Sequence, residues 1–278
     1  MRPLADQTVL VTGATGGLGH ALVQRLAEHD VRVVAHGRSE QRLATLADDV
    51  ERATGRRVDT VAADLARLAE VDRLADTVLE RYDALHVLVN NAGVGFGAPD
   101  GERETSGDGI ELRFAVNHLA SYHLARRLAP LLRASAPARI VQVASAGQLA
   151  LDPDDPLSET SYDGVSAYRR SKLAQVMATY DLAGDLVGTD VTVTALHPAT
   201  FMDTTMVRES GRAPLSSVEE GLDATWRLVA DERLDGVSGL YFDGQVEGRT
   251  DPQADDPAAR TWVRSLSDSL IEDALTNR

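Results

Sequence analysis

Tyr168 and Lys172 stand four positions apart in Ser166-Ala167-Tyr168-Arg169-Arg170-Ser171-Lys172-Leu173-Ala174, a segment that reads as helical. That spacing places both side chains on one helix face. A phenol ordinarily loses its proton near pH 10, and an adjacent ammonium favours the phenolate. A drop of about 2–3 units, or roughly 3–4 kcal/mol, would make Tyr168 a usable acid or base near neutrality. Lys172 is the only lysine among 28 Lys and Arg residues, and its compact ammonium is not interchangeable with the broad guanidinium fork. Ser145 ends the apolar run Ile140-Val141-Gln142-Val143-Ala144, where a hydroxyl can donate to a developing oxyanion. Asn117 interrupts an apolar helical segment, Phe114-Ala115-Val116-Asn117-His118-Leu119, against its propensity, so it is expected to hold a buried water or backbone group. His118 beside it reads as a packed or surface imidazole.

A second cluster lies near the N-terminus. Thr12-Gly13-Ala14-Thr15-Gly16-Gly17-Leu18-Gly19 separates the β-branched run Thr8–Val11 from helically spaced apolar residues at 21–27. Strand, glycine turn and helix in that order form a phosphate cradle. Glycine permits close main-chain approach, and free N–H groups at the helix start face an anion.

These residues need a frame, and strand-like and helix-like segments alternate along the whole chain. Strands are predicted at 8–12, 31–35, 58–62, 85–90, 138–144, 191–196 and 238–242, and helices near 17–29, 39–54, 67–82, 109–133, 164–187, 217–231 and 256–275. Ser39 and Ser217 are expected N-caps. The alternation implies an α/β fold, a single Rossmann-type doubly wound parallel sheet of about seven strands with helices on both faces. No linker divides residues 1–278, so one domain is expected. Loops at 94–108, 146–163 and 198–216 each follow a predicted strand, at the sheet edge where such folds bind ligands, and are expected to frame a substrate pocket.

Composition narrows the function. A net charge of −15 disfavours nucleic-acid partners, and no apolar run is long enough to span a bilayer. The absence of cysteine excludes disulfides, thiolate catalysis and zinc–thiolate sites; no metal is expected. With no signal-peptide pattern at its start, the chain is expected to be cytoplasmic.

Taken in order, Thr12-Gly13-(x3)-Gly17-Leu18-Gly19, Ala63-Asp64-Leu65, Asn90-Asn91-Ala92-Gly93, Asn117, Ser145 and Tyr168-(x3)-Lys172 resemble the short-chain dehydrogenase/reductase family, especially its retinol-dehydrogenase-like and bacterial carbonyl-reductase members. The resemblance implies that Gly13, Thr15, Gly16, Gly17, Leu18 and Gly19 admit a cofactor diphosphate. Asp64 and Leu65 would border the adenine, and Asn91, Ala92 and Gly93 the adenosine ribose. Tyr168 would pass a proton to or from the substrate oxygen, and Lys172 would bond the nicotinamide ribose and lower the Tyr168 pKa. Ser145 would fix the carbonyl, and Asn117 would hold a relay water.

NAD-preferring relatives carry an acid after the second strand. Here Ala35-His36-Gly37-Arg38-Ser39 offers none, and Arg38 can pair with a 2′-phosphate, so NADP(H) is the expected cofactor. Two departures stand out. His197-Pro198-Ala199 replaces the family's Pro-Gly, with Thr204 or Thr205 in place of the usual threonine because Asp203 occupies its offset. Ser145 and Tyr168 also lie 23 positions apart.

The expected function is NADP(H)-dependent interconversion of a carbonyl and an alcohol on a fairly apolar small molecule, by a homodimer or homotetramer. Helices 109–133 and 164–187 would form its four-helix interface. The alternatives are an epimerase, dehydratase or other biosynthetic tailoring enzyme on the same scaffold, and a non-catalytic NADP-sensing protein.

Overall fold

The computed structural model describes residues 2–98 and 101–276. Pro99 and Asp100 of the predicted 94–108 loop lie outside the described residues, as do Met1, Asn277 and Arg278 of the expected 1–278 domain. Eight strands form one sheet: β1 (Thr8–Val11), β2 (Arg32–Gly37), β3 (Asp59–Ala62), β4 (Val87–Asn90), β5 (Ala138–Val143), β6 (Val191–His197), β7 (Leu240–Asp243) and β8 (Val246–Glu247). Their order is β3-β2-β1-β4-β5-β6-β7-β8. The seven predicted strands pair in parallel. β8 is the addition, a two-residue antiparallel edge too short to carry a periodic signal.

Alternate side chains of each central strand enter opposite cores. On one face Val9, Val33, Val141 and Leu196 meet α1 (Gly17–Glu28), α2 (Glu40–Thr54) and α7 (Val218–Ala230) through Leu22, Leu46 and Leu228. On the other, Leu10, Leu88, Ile140 and Val193 meet α3 (Leu68–Arg81), α4 (Ala120–Ala134), α5 (Gly164–Asp185) and α8 (Pro257–Thr276) through Leu74, Leu124, Leu173 and Ile271. The order turns back between β1 and β4, and the crevice opens there, beyond the strands' carboxyl ends.

Ser39 accepts a hydrogen bond from Arg42 N, and Ser217 forms a reciprocal capping box with Glu220, as their positions predict. Two helical features differ from expectation. The predicted helix over 109–133 starts late, because Glu111 pairs in a β-bridge with Thr105, and its first turn is a π-helix, Phe114–Leu119, ahead of α4. A five-residue helix, α6 (Thr205–Glu209), lies inside the 198–216 loop.

α8 crosses the helices expected to pair with a second copy. Arg260 bonds Asp181 (3.0 Å), Arg264 bonds Asp185 (2.8 Å), Tyr122 donates to Asp268 (3.0 Å), and His118 and Ser267 lie 2.7 Å apart. These contacts tie α8 to the faces of α4 and α5 within one chain. Among the described residues no helix is long and apolar enough to cross a membrane.

Among the buried imidazoles of this frame, two are shifted furthest. His118 has no partner at Nδ1 among the described residues, and burial lowers its pKa from 6.5 to about 3. Burial likewise takes His36 from 6.5 to about 4. Both folded values lie below the unfolded one, so the unfolded chain takes up protons first. Stability is present above pH 6.5 and is lost as pH falls toward 4 and then 3. Urea unfolding should show His118 contributing a loss of about 2 kcal/mol between pH 7 and 5, and His118→Gln should flatten the slope by that amount.

Candidate active site

The cleft begins where the end of β1 lies against the end of β4. Thr12 Oγ1 accepts hydrogen bonds from Asn91 N and Ala92 N, each at 3.0 Å, and Asn91 Nδ2 donates to Thr12 O (2.8 Å) and Gly13 O (3.2 Å). This contact leaves no room for side chains. A Cβ on Gly13, whose φ is +65°, would sit 2.7 Å from Ala92 Cα, and one on Gly19 would sit 2.3 Å from Gly13 O. α1 follows with Gly16 as its cap and no side chain capping it, so its first N–H groups face the cleft as an anion cradle. Thr204 is the threonine that reaches this loop: its Cγ2 stands 3.0 Å from where a Gly17 Cβ would lie.

His36, which the sequence reading passed over, ties the cradle to the next strand. Its Nδ1 accepts from Gly13 N (3.4 Å) and its Nε2 donates to Ala63 O (3.0 Å). The lowered pKa keeps the ring neutral, which this acceptor–donor pair requires. Arg38 is exposed at the rim without a protein partner among the described residues. Arg42, also missed, reaches the same rim, its Nη2 donating to Thr15 O (3.0 Å). No spacing rule marks it, because Arg38 precedes the Ser39 cap and does not share the α2 helix with Arg42.

At the other end, Asp163 caps α5 through Val165 N and Ser166 N, with Tyr168 one turn inside and Lys172 two. The Tyr168 phenol shares the cleft wall with the Ser145 hydroxyl, just beyond β5. Lys172 Nζ stands 6.0 Å from the Tyr168 ring centroid and donates to Val143 O (2.8 Å) and Gln175 Oε1 (3.0 Å). Burial pushes the phenol above its usual pKa, with the nearby Ser145 hydroxyl opposing, and pushes Lys172 from 10.5 down to about 7. The expected lowering of the phenol pKa by the ammonium is therefore corrected, because burial dominates. Both groups lose water, desolvation favours both neutral forms, and the amine is engaged by neutral oxygens.

Asn117 sits in the π-helical turn behind Gly93. Its Oδ1 accepts from Val94 N (2.7 Å), and its Nδ2 donates to Val94 O (3.0 Å) and Ser171 Oγ (2.9 Å). It thus holds the backbone group that its place in an apolar helix predicted. Phe96, three residues beyond Gly93, packs edge-on against Tyr168 with centroids 4.5 Å apart. A buried cation sets this loop: Arg113 Nε donates to Gly95 O (2.9 Å), Nη2 to Phe96 O (3.2 Å) and Nη1 to Glu111 Oε1 (3.2 Å).

These parts enclose one cleft of about 640 Å³. It is lined by Gly13, Thr15, Gly16, Gly17, Leu18, Gly19, Arg38, Asp64, Leu65, Asn91, Ala92, Gly93, Ser145, Tyr168, Lys172, Pro198 and Thr204, all singled out from sequence. Asn117 alone stands behind the wall. The inner parts of the 94–108, 146–163 and 198–216 loops also line it.

A family model described as short chain dehydrogenase matches residues 7–214. Human retinol dehydrogenase 13 is 34% identical over 283 residues, covering 94% of this chain and 84% of that protein. A Streptomyces sp. (strain C5) protein provisionally named a daunorubicin C-13 ketoreductase is 33% identical, with 95% and 93% covered. A solved structure from Escherichia coli CFT073, complexed with NADPH, superposes with a TM-score of 0.71 at 24% identity over 86% of this chain and 97% of that one.

The Arg113–Glu111 pair is fully buried, so removing one member strands a charge. Arg113→Met should lose about 3–5 kcal/mol in denaturant unfolding, and adding Glu111→Gln should recover much of that.

Proposed function

The chain belongs to the short-chain dehydrogenase family, and from that premise we propose that it interconverts a carbonyl and an alcohol with NADP(H). The reading is carried by Ser145, Tyr168 and Lys172 lining the same cleft as the uncapped start of α1. It draws further support from relatives named for retinol dehydrogenation and ketone reduction, and from the NADPH held by a protein of like fold.

The residues present fit a dinucleotide. The diphosphate would lie on the N–H groups of α1, where the glycines leave space that any Cβ would fill. Asp64 and Leu65 would border the adenine and Asn91–Gly93 the adenosine ribose. Arg38 and Arg42 would flank a 2′-phosphate, Lys172 would bond the nicotinamide ribose, and Pro198 and Thr204 would close the cleft over it. Bound there, the nicotinamide supplies or accepts the hydride at the carbonyl carbon.

Ser145 holds the carbonyl oxygen by donating to it, and Tyr168 delivers its phenolic proton as negative charge develops on that oxygen. In the reverse direction the phenolate takes the proton from the alcohol. The raised phenol pKa favours the donor form at neutral pH, which suits reduction. A phenolate, once formed, attracts a proton to Lys172, so the two groups titrate as a coupled pair. Asn117 keeps the Gly93–Val94 main chain in place beside Lys172, where the proton relay would run.

Tyr168→Phe should lower kcat for ketone reduction by about 10²–10⁴ while NADPH fluorescence titration gives an unchanged Kd. Loss of binding along with turnover would contradict the assigned role. Arg38→Asp should weaken NADPH by about 10–100-fold relative to NADH, and equal effects on both cofactors would overturn the 2′-phosphate assignment.

A further inference from the structure

The reaction proposed above leaves one cation of the cleft without a task. The chain carries 43 acidic residues against 28 Lys and Arg, yet the cleft wall reverses that balance: Arg38, Arg42, Arg169, Arg212 and Lys172 line it, and Asp64 is the one carboxylate among the described lining residues. Arg38 and Arg42 lie at the cradle end. At the substrate end, Arg169 Nη2 already donates to Gln148 O (2.9 Å). Arg212 has neither a carboxylate nor any other hydrogen-bond acceptor among the described residues, although Arg208, four residues earlier, is paired with Asp203 (2.8 Å).

What Arg212 does touch is aromatic. Its guanidinium carbon lies 5.1 Å from the Phe96 centroid and 5.2 Å from the Phe201 centroid. Such contacts hold a guanidinium by its electron-poor face and leave the N–H donors around its edge unengaged. The support is built rather than incidental. Phe201 has a φ of +44°, uncommon for a residue with a Cβ, and is kept there by Leu215 N donating to its carbonyl (2.9 Å) and by Asp203 N donating to Ser216 O (3.1 Å). These bonds close the 201–216 segment into a compact loop that presents Arg212 to the cleft. Phe96, its other neighbour, is the ring packed on Tyr168.

We infer that Arg212 anchors a carboxylate on the substrate, so that the preferred substrates are keto or hydroxy acids whose apolar spacer lies along Phe96 and Phe201. A planar carboxylate matches the in-plane donor fork, and the cation-lined cleft favours an anion that the acidic remainder of the surface repels. The anchor rests on the hydride-transfer reading only for the carbonyl; the anion site stands on its own geometry.

The test compares 4-oxo-4-phenylbutanoate and 6-oxo-6-phenylhexanoate with their methyl esters, using NADPH. The wild-type protein should favour at least one acid over its ester by tenfold or more in kcat/KM, mainly through KM. Arg212→Gln should bring that ratio close to one. A wild-type ratio near one for both pairs, or a preference that survives Arg212→Gln, overturns the proposal. Calorimetric titration of the NADP-saturated protein with 4-phenylbutyrate, which cannot be reduced, gives a readout independent of turnover. Its affinity should fall at least tenfold in Arg212→Gln, and equal affinities would count against the anchor. Arg212-dependent binding of 4-phenylbutyrate without reduction of any ketone would sink the hydride reading and leave the anion site standing. Ketone reduction without acid preference would do the reverse.

Discussion

The cleft exists because two stretches of main chain, Thr12–Gly13 and Asn91–Gly93, press together at the point where the sheet order turns back. Thr12 and Asn91 supply the hydrogen bonds, and the absence of side chains at Gly13 and Gly19 supplies the space. The start of α1 is aimed by this contact. So is Gly93, which passes between Asn117 and Lys172: a Cβ there would meet Asn117 Oδ1 at 3.2 Å and Lys172 Nζ at 3.7 Å. The cradle end and the chemical end of the cleft therefore share one packing constraint.

Burial sets the electrostatics of the chemical end. Tyr168 and Lys172 are both removed from water, and each is driven toward its neutral form, the phenol upward and the ammonium downward. The site is thus poised near neutrality on the lysine side and held as a proton donor on the tyrosine side. The oxygens on Lys172, Val143 O and Gln175 Oε1, are neutral dipoles that hold its position without fixing its charge. Desolvation outweighs the pairwise attraction that helical spacing alone would lead one to expect.

The substrate end is built differently, from loops held by buried or strained contacts. Arg113, enclosed with Glu111, grips the carbonyls of Gly95 and Phe96 and thereby fixes the ring beside Tyr168. Gly95 leaves room for Met206 of α6, whose Cγ would lie 2.6 Å from a Cβ at that position, so the 94–98 and 198–216 loops pack against each other over the cleft. On the far side α8 is tied to α4 and α5 by charged and polar contacts. These arrangements join residues remote in sequence, and no local pattern announces them.

Resemblance of the ordered motifs pointed to most members of the cleft, while periodicity and residue type determined the seven parallel strands, their flanking helices, the caps at Ser39 and Ser217, and the glycine turn at 13–19. Each of these is encoded locally, by alternation, by a cap three residues from its N–H, or by glycine where a Cβ has no room. Only the tertiary structure decided the rest: the direction of the Tyr168 and Lys172 shifts, His36 as a tie between strands, the buried Arg113, the π-helical turn at Asn117, and Arg212 set between two rings. The physical reason is common to all of them. Desolvation and hydrogen-bond completion depend on which distant groups arrive at a site, and that is fixed by packing rather than by spacing along the chain.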